Sequence, residues 1–228
     1  MQLPELPLVA RHLQEKMHLK FRGFHFNLGQ TKPYLKQINT FAEKYLKMQT
    51  HLALLRGINV SGHRMIKMEA LKIALEKIGF TNVLTYIQSG NVFVDSDENA
   101  AKIGFVIKQE IQKTFGHDVP VVVIGKQDLE LCFKNSPYYN EENVDSKKLY
   151  VAFISTVLKP EAINNLQISN FKPDEATIDE NRIFIKYDVG AGKTKLDQNY
   201  IEKKLNVIAT IRNWNSVTQL LKIFEERE

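Results

Sequence analysis

The stretch "DVGAGKTK", residues 188–195, contains the residue types of a phosphate-binding loop. In nucleotide hydrolases such a loop has a glycine five residues before the glycine of its Gly-Lys pair. Counting back from Gly192 gives Tyr187, so the spacing fails at its first position. We therefore predict a glycine-containing loop that leads into a helix. Thr194 would be its N-cap and Asp197 would complete a capping box.

Three other groups of polar residues lie next to predicted strands and suit the binding of an anion. They are "RGINVSGHR" (56–64) after the first strand, "QSGN" (88–91) in the first hairpin, and "RNWN" (212–215) at the last strand. Arginine can hold a phosphate or carboxylate through paired N–H groups, and amides can orient the remainder of a ligand. The candidate ligand-binding residues are Arg56, Asn59, Ser61, Gln88, Ser89, Asn91, Lys193, Thr194, Arg212, Asn213 and Trp214.

Most of these residues also have a purely structural interpretation. Gly90 and Asn91 can close a hairpin turn without binding anything. Trp214 is more often an anchor in a core or interface than a stacking platform. Arg212 is harder to explain in this way, because an internal alignment places it opposite Ile124. A cation at such a position needs a partner, which is either a carboxylate or an anionic ligand.

Recognisable catalytic and metal-binding patterns are missing from the sequence. No Ser/His/Asp or Cys/His set stands out, and His63 has no second ligand at metal-binding spacing, so no metal is predicted and no cofactor can be assigned. The single cysteine, Cys132, lies between apolar residues at helical spacing, and we predict a buried core thiol. One cysteine excludes an internal disulfide and fits a cytoplasmic protein.

The positive charge of the chain is confined to its beginning. The chain has 31 Lys and Arg against 26 Asp and Glu, a net charge of +5. Residues 1–47 hold eight of the former and three of the latter, so the remaining residues carry 23 of each and no net charge. A basic pI therefore does not argue for nucleic-acid binding by the main part of the chain. Apolar runs are also too short for a membrane span.

Residues 1–47 read differently from the remainder of the chain. They mix aromatic and basic residues without a clear period, and Met48 then stands directly before a strong strand. We expect the functional protein to begin at or near Met48, with residues 1–47 as a non-native or disordered extension. The alternative is a genuine basic arm that docks on the domain or on a partner.

From residue 48 onward the pattern of strands and helices occurs twice. Each copy reads β-α-β-β-α-β, and "VVVIGKQDLELCFK" (121–134) aligns without a gap with "ATIRNWNSVTQLLK" (209–222). Short predicted elements of the second copy include a helix at "KPEAINNLQ" and another at "TKLDQNYIEKKLN". The sequence predicts an α+β fold of two tandem ferredoxin-like repeats related by a pseudo-twofold duplication, each with an antiparallel sheet in the order 4-1-3-2. The expected segments are 48–134 for the first repeat, 135–147 for a linker and 148–228 for the second repeat.

This topology places the candidate residues. The loop after the first strand and the first hairpin lie at one end of the first sheet, so Arg56, Asn59 and Gln88 should converge there. In the second repeat, Lys193 and Arg212 should converge at the opposite end. If the repeats pack around a pseudo-twofold axis, the two groups face one cleft.

The motifs "ALLRGINVSG", "YIQSGNVFV" and "TIRNWNSV" resemble a bacterial family known as domain of unknown function 1697, over about residues 50–226. Ser61 stands where the family usually has a second glycine, and Lys193-Thr194 stand where it often has Arg-Ser. The resemblance implies small proteins with the duplicated α+β fold. It brings no established activity.

Three specific functions remain open from the sequence, beside a purely structural or partner-binding role. The first is the binding of a small anionic, phosphate-bearing ligand in the cleft between the repeats, at a helix N-terminus that favours anions. The second is an enzyme of phosphoryl or acyl transfer in the same cleft, for which Ser61, Ser89 or Thr194 would be the nucleophile and the base is missing. The third is nucleic-acid binding, against which the central strands argue because they offer only Phe93 for stacking. No membrane partner is expected.

Overall fold

The computed structural model describes residues 48–60, 62–142 and 144–227 of the chain. The expectations for residues 1–47 and for Ser61 therefore lie outside the described residues. Residues Gln49–Glu228 belong to one compact unit, so the two halves of that unit can be described together.

The first half is built on a four-stranded antiparallel sheet. Its strands are β1 (Gln49–Leu55), β2 (Thr81–Tyr86), β3 (Asn91–Ser96) and β4 (Val121–Ile124), in the order β2-β3-β1-β4. Its helices are α1 (Met68–Lys77), α2 (Ala100–Phe115) and α3 (Lys126–Asn135). The strand order is the one predicted from the sequence.

The second half is built on a second four-stranded antiparallel sheet. Its strands are β5 (Leu149–Ile154), β6 (Glu175–Asp179), β7 (Arg182–Lys186) and β8 (Ala209–Asn213), in the order β6-β7-β5-β8. Its helices are α4 (Gln198–Leu205) and α5 (Trp214–Arg227), with 3₁₀ helices at Ser146–Lys148, Pro160–Leu166 and Ile168–Phe171. The chain is thus an α+β protein with two four-stranded antiparallel sheets.

Helix α2 illustrates how local sequence sets an element that packs on a sheet. The Asn99 side chain accepts a hydrogen bond from the backbone N–H of Lys102 at 2.9 Å and caps the first turn. Gly116 ends the helix in the left-handed conformation, with φ of 72°. Between these ends, Ile103, Ile107 and Ile111 recur every four residues and are buried against the sheet.

Two helices of the second half differ from the prediction. The segment around "KPEAINNLQ" forms two short 3₁₀ helices. Gln167 separates them, because its left-handed φ of 48° interrupts the helical backbone. Helix α4 begins at Gln198, later than predicted, and its N-cap is Asp197, whose Oδ1 accepts from the backbone N–H of Tyr200 at 2.8 Å. Thr194 is not the cap: its Oγ1 accepts from the N–H of Leu196 at 3.1 Å in the preceding loop.

Both sheets have apolar residues on both faces, and α3 and α5 share the core between them. The outer face of the first sheet packs on α1 and α2, and the outer face of the second packs on α4 and the 3₁₀ helices. The central cluster draws on both sheets, on α3 and α5, and on the segment predicted as a linker, through buried Tyr138. Cys132 is fully buried in this cluster, which confirms the predicted core thiol.

Within residues 48–227, apart from the two undescribed positions, no helix combines the length and the apolar character that crossing a bilayer requires.

Candidate functional site

Arg212, in β8, is the centre of the junction between the two halves. Its side chain is buried, with 6% of the residue exposed. Nε donates to Asn91 Oδ1 at 2.7 Å, and Nη2 donates to the carbonyl oxygens of Leu55, Ser89 and Gly90 at 3.1–3.2 Å. Nη1 donates within β8, to the Oγ1 of Thr210 at 2.7 Å and the carbonyl of Ile211 at 3.0 Å. One guanidinium therefore joins β8 to the end of β1 and to the β2–β3 hairpin.

The acceptors of Arg212 are all neutral. In the described part of the chain, no carboxylate accepts a hydrogen bond from this guanidinium. Burial lowers the pKa of Arg212 to about 10, because the charged form loses its hydration. The sequence led us to expect a carboxylate or an anionic ligand as the partner of this cation, but its acceptors are carbonyls, an amide and a hydroxyl, and among the described residues no carboxylate bonds to it.

The β2–β3 hairpin must approach β1 closely for this junction to form. Gly90 has φ of 79°, and a Cβ atom at this position would lie 2.7 Å from Leu55 Cβ and 2.9 Å from Ile58 Cδ1. Only glycine fits both the conformation and the space. Asn91 is fully buried, and its Nδ2 donates to the Tyr86 carbonyl and to Ser89 Oγ, both at 3.1 Å. The "QSGN" motif therefore shapes the turn that receives Arg212.

The loop after β1 is fastened to the same hairpin by Asn59. Its Nδ2 donates to the carbonyls of Gln88 at 2.9 Å and Ile66 at 3.0 Å, and its Oδ1 accepts from the N–H of Ile66 at 2.8 Å. Asn59 has a left-handed φ of 54°, a conformation that asparagine adopts more readily than most residues. Both the nitrogen and the oxygen of the side-chain amide therefore hold the loop closed.

Arg56 forms a second link between the halves, on the side of α4. Its Nη2 lies 2.5 Å from Glu202 Oε2, its Nε donates to Glu202 Oε1 at 2.8 Å, and Nη2 also donates to Asn199 Oδ1 at 2.7 Å. Both side chains of the ion pair are less than one-fifth exposed. The paired N–H groups expected to hold an anion instead hold a carboxylate of the protein.

Of the remaining predicted residues, some lie next to Arg212, and Lys193 and Thr194 are not bonded to that group. Gln88 and Ser89 are exposed on the turn beside the junction, and Asn213 is exposed at the end of β8, where its Oδ1 accepts from the N–H of Ser216. Lys193 is exposed, and within the described residues its side chain makes no hydrogen bond or ion pair. The structure therefore brings Arg56, the hairpin and Arg212 together, while no hydrogen bond or ion pair among the described residues links Lys193 or Thr194 to them.

Trp214 is an anchor of the central core, as preferred from the sequence. It is 2% exposed, stacks on Tyr139 at 4.7 Å between ring centroids, and meets Phe133 edge-on at 5.1 Å. Its Nε1 is buried and has no hydrogen-bond partner among the described residues. It cannot serve as a platform for a ligand ring in this arrangement.

The sequence did not predict the residues that pair with Arg56, nor the buried ion pairs of a further arginine, Arg182. Asn199 and Glu202 are three residues apart on α4, which places them on one face, but nothing in the sequence assigns Arg56 to them. It also missed Arg182, which is 1% exposed and paired with Asp128 at 3.3 Å and Asp179 at 3.0 Å. The pairs Arg56–Glu202 and Arg182–Asp128 join residues 146 and 54 positions apart, so they have no local sequence signal.

The chemical options of the site are limited by its neighbours. Ser89 Oγ is bonded to the Asn91 amide, and in the described chain neither a histidine nor a carboxylate bonds to it as a base. No group of three or more potential metal-ligating side chains occurs among the described residues. Phe93 is fully buried, so the described central strands do not present it for stacking on a nucleic acid.

Comparison with known proteins addresses the fold and the family. The chain is similar to a solved structure, that of the conserved bacterial protein SP0830 from Streptococcus pneumoniae, with a TM-score of 0.61 and 20% identity. The similarity covers 78% of this chain and 99% of that chain, and at such identity it shows the fold alone. None of the curated proteins matches the chain. The family model described as protein of unknown function (DUF1697) matches residues 48–184. Because this match spans more than half of the chain and confirms the resemblance of its motifs, the chain belongs to the DUF1697 family.

Proposed function

We propose that this protein binds a small anionic, phosphate-bearing ligand at the exposed turn Ile87–Gly90, beside the buried charge of Arg212. The observation that carries the proposal is a guanidinium that is buried and bonded only to neutral acceptors. Such a cation projects its potential toward the nearest surface, since no carboxylate of the described residues bonds to it. The Ser89 and Gly90 carbonyls that it bonds belong to that turn.

The size of the effect favours an anion at this surface. Two unit charges about 6 Å apart, at an effective dielectric constant of about 20, attract each other by roughly 3 kcal/mol. That is about a hundredfold in affinity, because each 1.4 kcal/mol corresponds to a factor of about ten. Arg212 would thus act through its field. The direct clamp that the sequence suggested for Arg56 and Arg212 is not available, because their N–H groups donate to protein acceptors.

Direct contacts would come from the turn itself. Gln88 and Ser89 are exposed, and among the described residues their backbone N–H groups have no acceptor. Backbone N–H groups in a turn are good anion donors, and the side-chain amide of Gln88 can orient the remainder of the ligand. Lys193 would add charge from the second half.

A duplicated ferredoxin-like architecture is part of the same proposal, and the strand registers support it. Leu54 pairs with Asn91 in the first sheet, as Phe153 pairs with Arg182 in the second. Leu52 pairs with Ile124 in the first sheet, as Val151 pairs with Arg212 in the second. Asn91 and Arg212, which bond to each other, would then come from non-equivalent positions of the two copies. A site formed by Asn91 and Arg212 would therefore occur once in the protein and would not be repeated by the duplication.

The test is a thermal-shift screen with inorganic phosphate, nucleotides and sugar phosphates, followed by titration of the best compound. We expect a phosphate-bearing compound to raise the melting temperature, in a manner that weakens with salt. The double substitution of Gln88→Ala and Ser89→Ala should reduce the shift, whereas Gln109→Ala, at an exposed position of α2, should leave it unchanged. A screen in which no compound stabilises the protein contradicts the proposal.

A further inference from the structure

A second surface, in the second half, has different chemistry from the Arg212 junction. The two 3₁₀ helices Pro160–Leu166 and Ile168–Phe171 and the start of β6 enclose an open depression of about 520 Å³. Ligand pockets for small molecules typically have volumes of about 300–1,000 Å³, so this one is large enough for a small molecule. Between β5 and β6 the second half has these two 3₁₀ helices, where the first half has the single helix α1 between β1 and β2.

The polar lining consists of amides and one hydroxyl. Asn164, Gln167 and Asn170 recur every three residues, and the backbone N–H of each later residue bonds to the carbonyl of the earlier one, at 3.2 and 3.0 Å. Asn164 lies in the first 3₁₀ helix, Gln167 between the two helices and Asn170 in the second, and all three line the same depression. Ser169 adds a hydroxyl. None of these four side chains has a hydrogen-bond partner within the described part of the protein.

The remaining lining is aliphatic and uncharged. Ile163, Ile168 and Ala176 supply apolar surface, and no charged side chain lines the depression. Amides both donate and accept hydrogen bonds, so they match groups that do the same. Neutral polar groups beside an apolar surface suit a molecule with hydroxyls along its edge and a C–H face.

The backbone at Gln167 is also unusual. Its φ of 48° is left-handed, a conformation that costs a residue other than glycine, asparagine or aspartate about 1 kcal/mol. Gln167 nevertheless lies midway between Asn164 and Asn170 and supplies the middle one of the three amides. Strain of this kind is common where a side chain is held for binding.

We propose that this depression is a binding site for a neutral polyhydroxylated small molecule of the saccharide class. Asn164, Gln167 and Asn170 would bond its hydroxyls, and Ile163 and Ile168 would contact its C–H face. The site is independent of the anion site proposed above, because it shares no residue with the turn Ile87–Gly90 and contains no cation.

The experiment is an NMR titration of the ¹⁵N-labelled full chain with glucose, N-acetylglucosamine and maltose. We expect shifts confined to the backbone and side-chain amides of Asn164, Gln167 and Asn170, with a dissociation constant of about 1 mM or tighter. Glucose 6-phosphate should bind here no more tightly than glucose. Shifts at Gln88 and Ser89 would report the anion site instead, so the two proposals fail separately.

Variants separate binding from folding. Asn164→Ala with Asn170→Ala should weaken binding about tenfold through the loss of two hydrogen bonds. Asn165→Ala, at an exposed position outside the lining, should bind as the parent does. Gln167→Gly accepts the left-handed conformation, so it should remain folded and bind more weakly. The proposal is overturned if none of the three saccharides shifts these amides, or if Asn165→Ala and Gln167→Gly weaken binding equally.

Discussion

Replacement of Arg212 by methionine tests whether the junction depends on hydrogen bonds or on charge. Methionine fills most of the volume and leaves the buried acceptors Asn91 Oδ1 and Thr210 Oγ1 without their donor. Each buried acceptor left unpaired costs about 1–3 kcal/mol, so two cost about 2–6 kcal/mol. Removal of the buried charge offsets part of this loss of stability, because the guanidinium no longer has to be dehydrated on folding. We expect a net loss of about 3 kcal/mol.

Arg212→Lys distinguishes the two explanations. Lysine keeps the charge but has a single ammonium group, which cannot reach acceptors in β1, in the hairpin and in β8 together. If the hydrogen bonds hold the junction, Arg212→Lys should be destabilised as much as Arg212→Met. If an unrecognised carboxylate neutralises the arginine, Arg212→Lys should be much the more stable of the two.

The assay is equilibrium unfolding in urea, followed by the fluorescence of Trp214, the only tryptophan of the chain, and by circular dichroism. For a unit of this size, a loss of about 3 kcal/mol lowers the melting temperature by about 6–12 °C. Lys222→Met, at an exposed position of α5, is the control and should change the free energy of unfolding by less than about 0.5 kcal/mol. A loss under about 1 kcal/mol for Arg212→Met would show that the junction does not depend on this side chain.

Three further predictions concern the hairpin, the core thiol and the loop after β1. Gly90→Ala should cost about 2–4 kcal/mol of unfolding free energy, because φ of 79° is strained for alanine and the new Cβ would meet Leu55 at 2.7 Å. Gly116→Ala, with φ of 72° and no atom within 4 Å, should cost only the conformational part, so equal losses in urea unfolding would contradict the steric argument. Burial raises the pKa of the Cys132 thiol from 9.0 to about 12, so its thiolate fraction at pH 8, and its rate with a disulfide reagent, should fall about a thousandfold below an exposed thiol. Because the folded pKa lies above the unfolded one, the Cys132 contribution to stability is fully present below pH 9 and is lost as the pH rises toward 12, and Cys132→Ala should remove that slope. Asn59→Ala removes the three hydrogen bonds that this amide makes with backbone groups and should expose the loop to trypsin at Arg64 while β1 remains protected, and uniform digestion of the chain would contradict this local role.

Much of the fold was predictable because its signals are local. The spacing of Ile103, Ile107 and Ile111 indicates α2, and Asn99 and Gly116 mark its ends. The 3₁₀ helix Pro160–Leu166 was predicted as a short helix and Ile168–Phe171 was not predicted, since a short polar segment has no clear period and the left-handed Gln167 has no sequence signature. The N-cap of α4 was assigned to Thr194 because both threonine and aspartate cap helices, and only the backbone decides between them.

The candidate site was predicted in part. The sequence indicated that Arg212 needs a carboxylate or an anionic ligand, whereas its observed acceptors include the amide of Asn91 and the carbonyl of Gly90. The hypothesis that the "QSGN" hairpin and Arg212 face each other agrees with these two contacts. The expectation that Arg56 faces a ligand could not anticipate Glu202, which is 146 residues away along the chain. A charged side chain and its partner are specified only by where the fold places them.

The sequence by itself determined the order of strands and helices, the buried state of Cys132 and the family to which the chain belongs. These properties depend on periodicity, composition and contiguous motifs, which are present along the chain. Only the tertiary structure decided that the arginine of "RNW" is a buried link between two sheets and that the arginine of "RGINV" pairs with α4. The physical reason is that a side chain's charge, accessibility and free donors depend on neighbours that are distant in sequence and meet only when both halves are folded.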